Sequence, residues 1–328
     1  MENRMYVTID EIREAAERIR PFIVRTPLLR CEELDKVLGC QVYLKPEMLQ
    51  KSGSFKMRGA TNKVLLLSEE ERRKGIICCS AGNHAKACAA VGRQLGIHSV
   101  SVMPEDAPKC KIEGVKALGG EIWFGPRKGP RRVEMVEEGV QKYGYVNVDP
   151  SDDLDLIAGA GTVGLEIMED LPEADTVMVP CGGAGLLSGV ATAVKNLSSK
   201  ARVIAVQAAV NNGYGLSFDA KEEVVKPTTD SIADGLNCSR PGKVTFPIVL
   251  KYVDAFLGTE EKDIARGTRL VAEEAKLVAE PSSCVGIGAV LSGIYKPARP
   301  DEKVVFVLSA GNWDIDQLGR IYEGVYFD

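Results

Sequence analysis

Short runs of β-branched and other apolar residues, bounded by glycine or proline, alternate along this chain with longer segments of helical spacing. The runs fall at 42–45, 76–79, 99–103, 121–124, 145–148, 176–179, 203–207 and 304–308. Strand alternating with helix leaves few folds open: parallel sheets with right-handed crossovers and helices on both faces. Thr8 and Asp10 open an amphipathic first helix, and 186–196 and 285–295 carry helical spacing without strand alternation. At 328 residues the chain is longer than the roughly 250–300 at which a single core stops growing, so one large α/β unit or two lobes are both possible. No repeat, low-complexity tract or long linker marks a boundary.

Several function classes drop out early. A net charge of −5 disfavours a nucleic-acid surface. The basic cluster Arg127, Lys128, Arg131 and Arg132 lacks interleaved aromatics and reads as a solvated loop and helix start, with anion recognition at a cleft as the sharper alternative. Nine cysteines, an odd number without a paired Cys-x-x-Cys spacing, fit reduced thiols. His84 and His98 are the only histidines and form no ligand cluster in sequence, so no metal is expected. The start, MENRMYVTIDEIREAAERIR, has no apolar signal core, and no run approaches the ~20 apolar residues of a membrane span. A cytoplasmic protein without a membrane partner is expected.

Ligands of open α/β sheets sit beyond the carboxyl ends of strands, where the next helices point their amino termini. Three segments join a strand end to a helix start through small residues: SAGNH at 80–84, CGGAGLLSG at 181–189 and SAGN at 309–312. In the second, the N–H groups of Gly182, Gly183, Ala184, Gly185 and Leu186 can converge on one anion. Glycine lets the chain approach closely, and a phosphate suits the helix dipole. The spacing is neither Gly-x-Gly-x-x-Gly nor a Walker loop. A fourth segment, KSGSFKMRGA at 51–60, puts Lys56 in the first turn of a helix among Ser54, Phe55 and Met57, a setting that lowers an amine's pKa. A nucleophilic lysine and a phosphate cradle together meet the needs of pyridoxal phosphate.

Those four segments, with IADG at 232–235 and AEPSS at 279–283, closely resemble in order and separation the pyridoxal-phosphate enzymes of the tryptophan-synthase-β fold. Within that fold they look most like threonine/serine dehydratases and their serine-racemase relatives, above all the short catabolic threonine dehydratases. The resemblance runs from about residue 8 to 316 and implies two lobes of open parallel sheet: 1–65 with 145–328 holding the cofactor, and 66–144 closing over it. It implies a homodimer or homotetramer acting on a small amino acid. By the same resemblance Lys56 attaches the cofactor and takes the substrate's α-proton, Phe55 packs on the cofactor ring, and Asn83 bonds its phenolic oxygen. Residues 182–186 hold the phosphate, Ser309 faces the ring nitrogen, and Ser80, Ala81, Asn83 and His84 surround the substrate, with Ser80, Asn83 and His84 receiving its carboxylate. The implied activity is a β-eliminating ammonia-lyase on L-threonine or L-serine.

The chain also departs from that pattern. Racemases of the family carry a serine where this chain has Ala81, which favours lyase over racemase because inversion needs a second-face proton donor. Relatives usually have glutamine at Ala160, and GPRKGPRR at 125–132 is unlike the usual loop; both are expected to border the substrate. An acidic substrate such as 3-hydroxyaspartate is therefore an alternative, as are a racemase, a β-replacement enzyme and a non-catalytic phosphate- or nucleotide-binding protein. Gln207, Asn211 and Asn212 stand where some relatives place a cation ligand, so no cation is expected there.

Overall fold

The computed structural model describes residues 5–127 and 129–326. Among the described residues ten strands form two sheets: β1 (Leu29–Arg30), β2 (Gln41–Pro46), β3 (Ile76–Cys79), β4 (Ser99–Pro104), β5 (Glu121–Gly125), β6 (Val146–Asn147), β7 (Thr176–Pro180), β8 (Arg202–Ala208), β9 (Ala255–Thr259) and β10 (Lys303–Leu308). The larger sheet has the order β1-β2-β10-β7-β8-β9 and is parallel except for β1; the smaller, β5-β4-β3-β6, is wholly parallel. Helices cover both faces, so the central strands are apolar on both sides. Along β10, Val304, Phe306 and Leu308 enter one core while Val305 and Val307 enter the other. In the smaller sheet Cys78 and Met103 pack on one side and Ile77, Val100 and Val102 on the other.

The strand orders fix where a ligand can bind. In the larger sheet the chain steps outward from β7 to β8 and β9, and β10 then returns on the far side of β7. In the smaller it steps from β3 to β4 and β5, and β6 returns on the far side of β3. Each reversal opens a crevice at the carboxyl ends of the two strands flanking it.

Two edge strands escaped the sequence pattern. β1 has only two residues, and β9, AFLGT, contains a glycine and is mostly half-buried. The helix expected at 285–295 runs instead over Pro281–Leu291, because Pro281 suits a first helical turn and Gly293, at φ +75°, ends the segment. Ala160, expected to border the substrate, does not: it is fully buried in the helix Leu154–Asp170 and lies outside the pocket lining. Its neighbours Gly159 and Gly161 let that helix touch the backbones of Arg58 and Gly189, with no room for a side chain at either glycine.

Candidate active site

Both crevices open into one cavity of about 330 Å³, lined by Phe55, Lys56, Ser309, residues 80–84 and residues 182–186, whereas Ala160 and the 125–132 loop, also expected at the substrate, do not line it. Lys56 is the first residue of the helix Lys56–Leu66. Its Nζ donates to the carbonyl of Pro150, just past β6, and lies 4.9 Å from the centre of the Phe55 ring. Burial brings the amine from its ordinary 10.5 down to about 8, against the opposing pull of Asp149.

The turn after β7 is built by close approach. Added Cβ atoms would come within 2.4 Å of Ser151 Oγ at Gly183, 2.9 Å of the Ser151 carbonyl at Gly185, and 2.9 Å of the Gly235 carbonyl at Gly182. Ala184 sits in the left-handed region at φ 64°, and the helix Gly185–Leu197 starts directly after it. Among the described residues the N–H groups of 182–186 have no protein acceptor, so the cradle presents unused donors at a positive helix end.

The segment after β3 enters the helix Asn83–Leu95. Ser80 gives its N–H to the Val102 carbonyl at 3.2 Å, and its hydroxyl accepts from Gly82 N at 3.2 Å. Its backbone is thus engaged, whereas among the described residues the N–H groups of Asn83 and His84 have no protein acceptor. The Asn83 amide donates to both oxygens of Glu280 at 3.0 and 3.1 Å and accepts from Asn312 at 2.9 Å. His84 holds the Val148 carbonyl through Nε2 at 2.8 Å, and its Nδ1 is buried without a partner. Burial and then the nearby Lys56 charge push its pKa down to about 3, so the ring is neutral. Ser309 lies 3.1 Å from the Ser283 hydroxyl, which is fixed by the backbone of Ala310.

Three charged side chains in the pocket were not assigned from sequence. Lys111 pairs with Asp234 at 2.7 Å, and its stem lies over Gly82. Glu280, backing Asn83, is pushed up to about 7 by burial, partly offset by Lys111. Asp234 and Glu280 stand inside IADG and AEPSS, so those motifs were the signal; Lys111 had none. The arginine cluster does not line the pocket: Arg127 pairs with Asp106 and Asp230, and Arg131 with Glu134 and Glu138, all on the exposed surface. Arg132 bonds the carbonyls of Pro126 and Arg127 and touches the pocket rim only through Cys79, whose Sγ lies 3.9 Å from its guanidinium; Lys128 lies outside the described residues. Gln207 and Asn211 serve as internal crosslinks, Gln207 to the backbone of Cys181 and Gly215, Asn211 to Thr229 and Asn237.

These residues fit pyridoxal phosphate. The glycine turn supplies N–H donors for a phosphate, Lys56 an amine of lowered pKa, and Ser309 a neutral hydroxyl. The family model described as pyridoxal-phosphate dependent enzyme matches residues 19–310. The chain is 40% identical over 323 residues to an L-threonine ammonia-lyase of Thermotoga maritima, covering 96% of this chain and 78% of that one. It is 38% identical over 310 residues to a serine racemase of Arabidopsis thaliana, covering 94% and 93%. The solved structure of maize serine racemase superposes with a TM-score of 0.92 at 34% identity, covering 97% of this chain and 98% of that one. With its site residues gathered in one pocket and its length matched in this way, the chain belongs to the pyridoxal-phosphate dependent enzymes.

Proposed function

We propose that the protein is an ammonia-lyase that converts a small β-hydroxy amino acid, such as L-threonine or L-serine, to a 2-oxo acid and ammonium. One observation carries the reading. The pocket pairs an amine of lowered pKa, Lys56, with a methyl group at Ala81, the position at which the family resemblance leads one to expect a serine in a racemase. When bound, pyridoxal phosphate acidifies the α-C–H of an attached amino acid.

The chain's own residues do the rest. Lys56, with a pKa of about 8, takes that proton near neutral pH, as a base matched to its medium does. The N–H groups of Asn83 and His84 receive the substrate carboxylate at the helix start, with the Ser80 hydroxyl beside them. Residues 182–186 hold the cofactor phosphate, Asn83 its phenolic oxygen, and Phe55 its ring. Ser309 faces the ring nitrogen, and being neutral does not force that nitrogen to stay protonated, which favours prompt loss of the β-hydroxyl. The pre-set donors act without reorganisation.

The same reading assigns 1–65 with 145–328 to the cofactor-holding lobe and 66–144 to a lobe that closes over it. Its support is that β3, β4 and β5 build a sheet of their own, to which β6 adds an edge. A cytoplasmic homodimer or homotetramer completes it; among the described residues no helix is long and apolar enough to cross a membrane. The test is a coupled assay of purified protein with pyridoxal phosphate and L-threonine or L-serine. Equal release of 2-oxo acid and ammonium, lost in Lys56→Ala, is expected. No release from these or from 3-hydroxyaspartate overturns the proposal.

A further inference from the structure

Next to the catalytic amine, on the inner side of the same loop, lies a trio of side chains to which the proposed reaction gives no role, although the backbone N–H of one of them, His84, receives the substrate carboxylate. Cys78 is on β3, and His84 and Cys88 sit one turn apart on the helix Asn83–Leu95. The helix and the strand bring one ligand atom from each within 4.8 Å of the others. Cys88 Sγ is 3.5 Å from His84 Nε2, and all three side chains are at most 1% exposed.

We propose that Cys78, His84 and Cys88 bind a divalent d10 cation of the zinc class, and that its binding silences the enzyme. Ligand atoms about 2.0–2.3 Å from a tetrahedral zinc stand roughly 3.5–3.8 Å apart, a spacing that Cys88 and His84 already have at 3.5 Å and that Cys78, within 4.8 Å of both, reaches by a shift of at most about 1 Å. Two thiolates, a neutral imidazole and a divalent cation sum to zero charge, the one state a buried site tolerates without an outside counter-ion. The sulfur-rich donor set disfavours magnesium and calcium. Two S–H bonds break and two metal–sulfur bonds form, and both protons leave to solvent through the pocket that His84 lines. Nε2 gives up its bond to the Val148 carbonyl for the metal, and its proton moves to Nδ1, the buried atom that lacks a partner. A water molecule takes the fourth position, as at open zinc sites. The two thiols already interact: Cys78 is held below the ordinary thiol range and Cys88 well above it by their shared hydrogen bond.

Silencing follows from position. The Val148 carbonyl anchors the segment whose Pro150 carbonyl holds Lys56, and both His84 and Cys88 lie within electrostatic reach of that amine. Releasing the anchor shifts the loop that receives the substrate and the segment that aims the base.

The test uses the holoenzyme with cadmium as the spectroscopic stand-in for zinc. A saturable ultraviolet thiolate-to-cadmium band at one equivalent per chain is expected, with zinc displacing cadmium. The band is lost in Cys88→Ala and in Cys78→Val, whose retained cofactor absorbance in the visible reports an intact fold. It persists in Cys238→Ala, which removes another pocket-lining cysteine. Zinc abolishes turnover of the wild type and leaves that of Cys88→Ala unchanged. The binding half is independent of the proposed reaction, whereas the silencing half rests on it. No band in the wild type, a band that survives both cluster variants, or a band lost only with Cys238 overturns the site and leaves the lyase reading standing. A band with undiminished turnover overturns the silencing.

Discussion

Lys56 is set apart from other lysines of the chain by its surroundings, and its titration exposes them. In the folded chain burial holds its pKa at about 8, against 10.5 without that environment. Between those values the unfolded chain binds more protons, so the cofactor-free protein gains stability as pH rises from 8 to 10.5 and loses that gain as pH falls through 8. Urea titrations across this window should show the rise in the wild type and a flatter profile in Lys56→Met. Capture of the cofactor, followed in the visible, should accelerate through pH 8 and then level off. A residue of opposite interest is Ala81, exposed in the pocket loop. Ala81→Ser is expected to add a proton donor and raise the share of D-amino acid formed from L-serine, read by chiral chromatography. Residues carried by strand-to-helix turns were legible in the sequence because small residues at strand ends leave a plain signal. Lys111 was not, since a lysine on a helix reads as surface until the fold lays it over Gly82. The Cys78, His84 and Cys88 group was equally hidden: only the four-residue step from His84 to Cys88 was visible, and Cys78 joins it through tertiary packing.

Among the elements, the glycine turn after β7 couples sequence to function most directly. A methyl at Gly185 would press on the Ser151 backbone, which cannot yield as a flexible side chain does. Such overpacking costs about 1–3 kcal/mol. Gly185→Ala should therefore weaken cofactor affinity about tenfold or more, measured by titrating the cofactor-free protein. Ala184→Gly acts in the other direction. It relieves a left-handed non-glycine conformation worth about 1 kcal/mol, so thermal stability should hold or rise while the cofactor still binds. The sequence showed this turn as a turn, but not that Ser151 and Gly235 would close on it, because those contacts join residues far apart in the chain. Strand β9 was missed for a related reason: as a half-buried edge its apolar run, 255–257, stops after three residues at Gly258, and its place is set by pairing with β8.

At the scale of the whole molecule a buried charge cluster clamps the helix that carries Lys56. Arg58 is fully buried and forms paired contacts with Glu47 at 2.7 and 2.8 Å and with Glu166 at 2.6 and 2.8 Å. Lys45 completes the group with a 2.6 Å bond to Glu166. Two cations and two anions balance, so removing Arg58 leaves Glu47 buried without its cation and Glu166 with Lys45 alone. Arg58→Ala should lower stability by about 3–5 kcal/mol in urea unfolding of the cofactor-free protein. The parallel α/β architecture was legible from the alternating strands and helices, since that period leaves few alternatives; the division into two lobes came only with the family resemblance, because no linker marks it. The clamp was not, because its members come from three separate segments and each reads alone as an ordinary surface charge. Elimination and inversion are separated by one reaction of the holoenzyme with L-serine in which 2-oxo acid and D-serine are quantified together. 2-Oxo acid should accumulate with ammonium while D-serine stays a minor product; D-serine as the main product would make the enzyme a racemase instead.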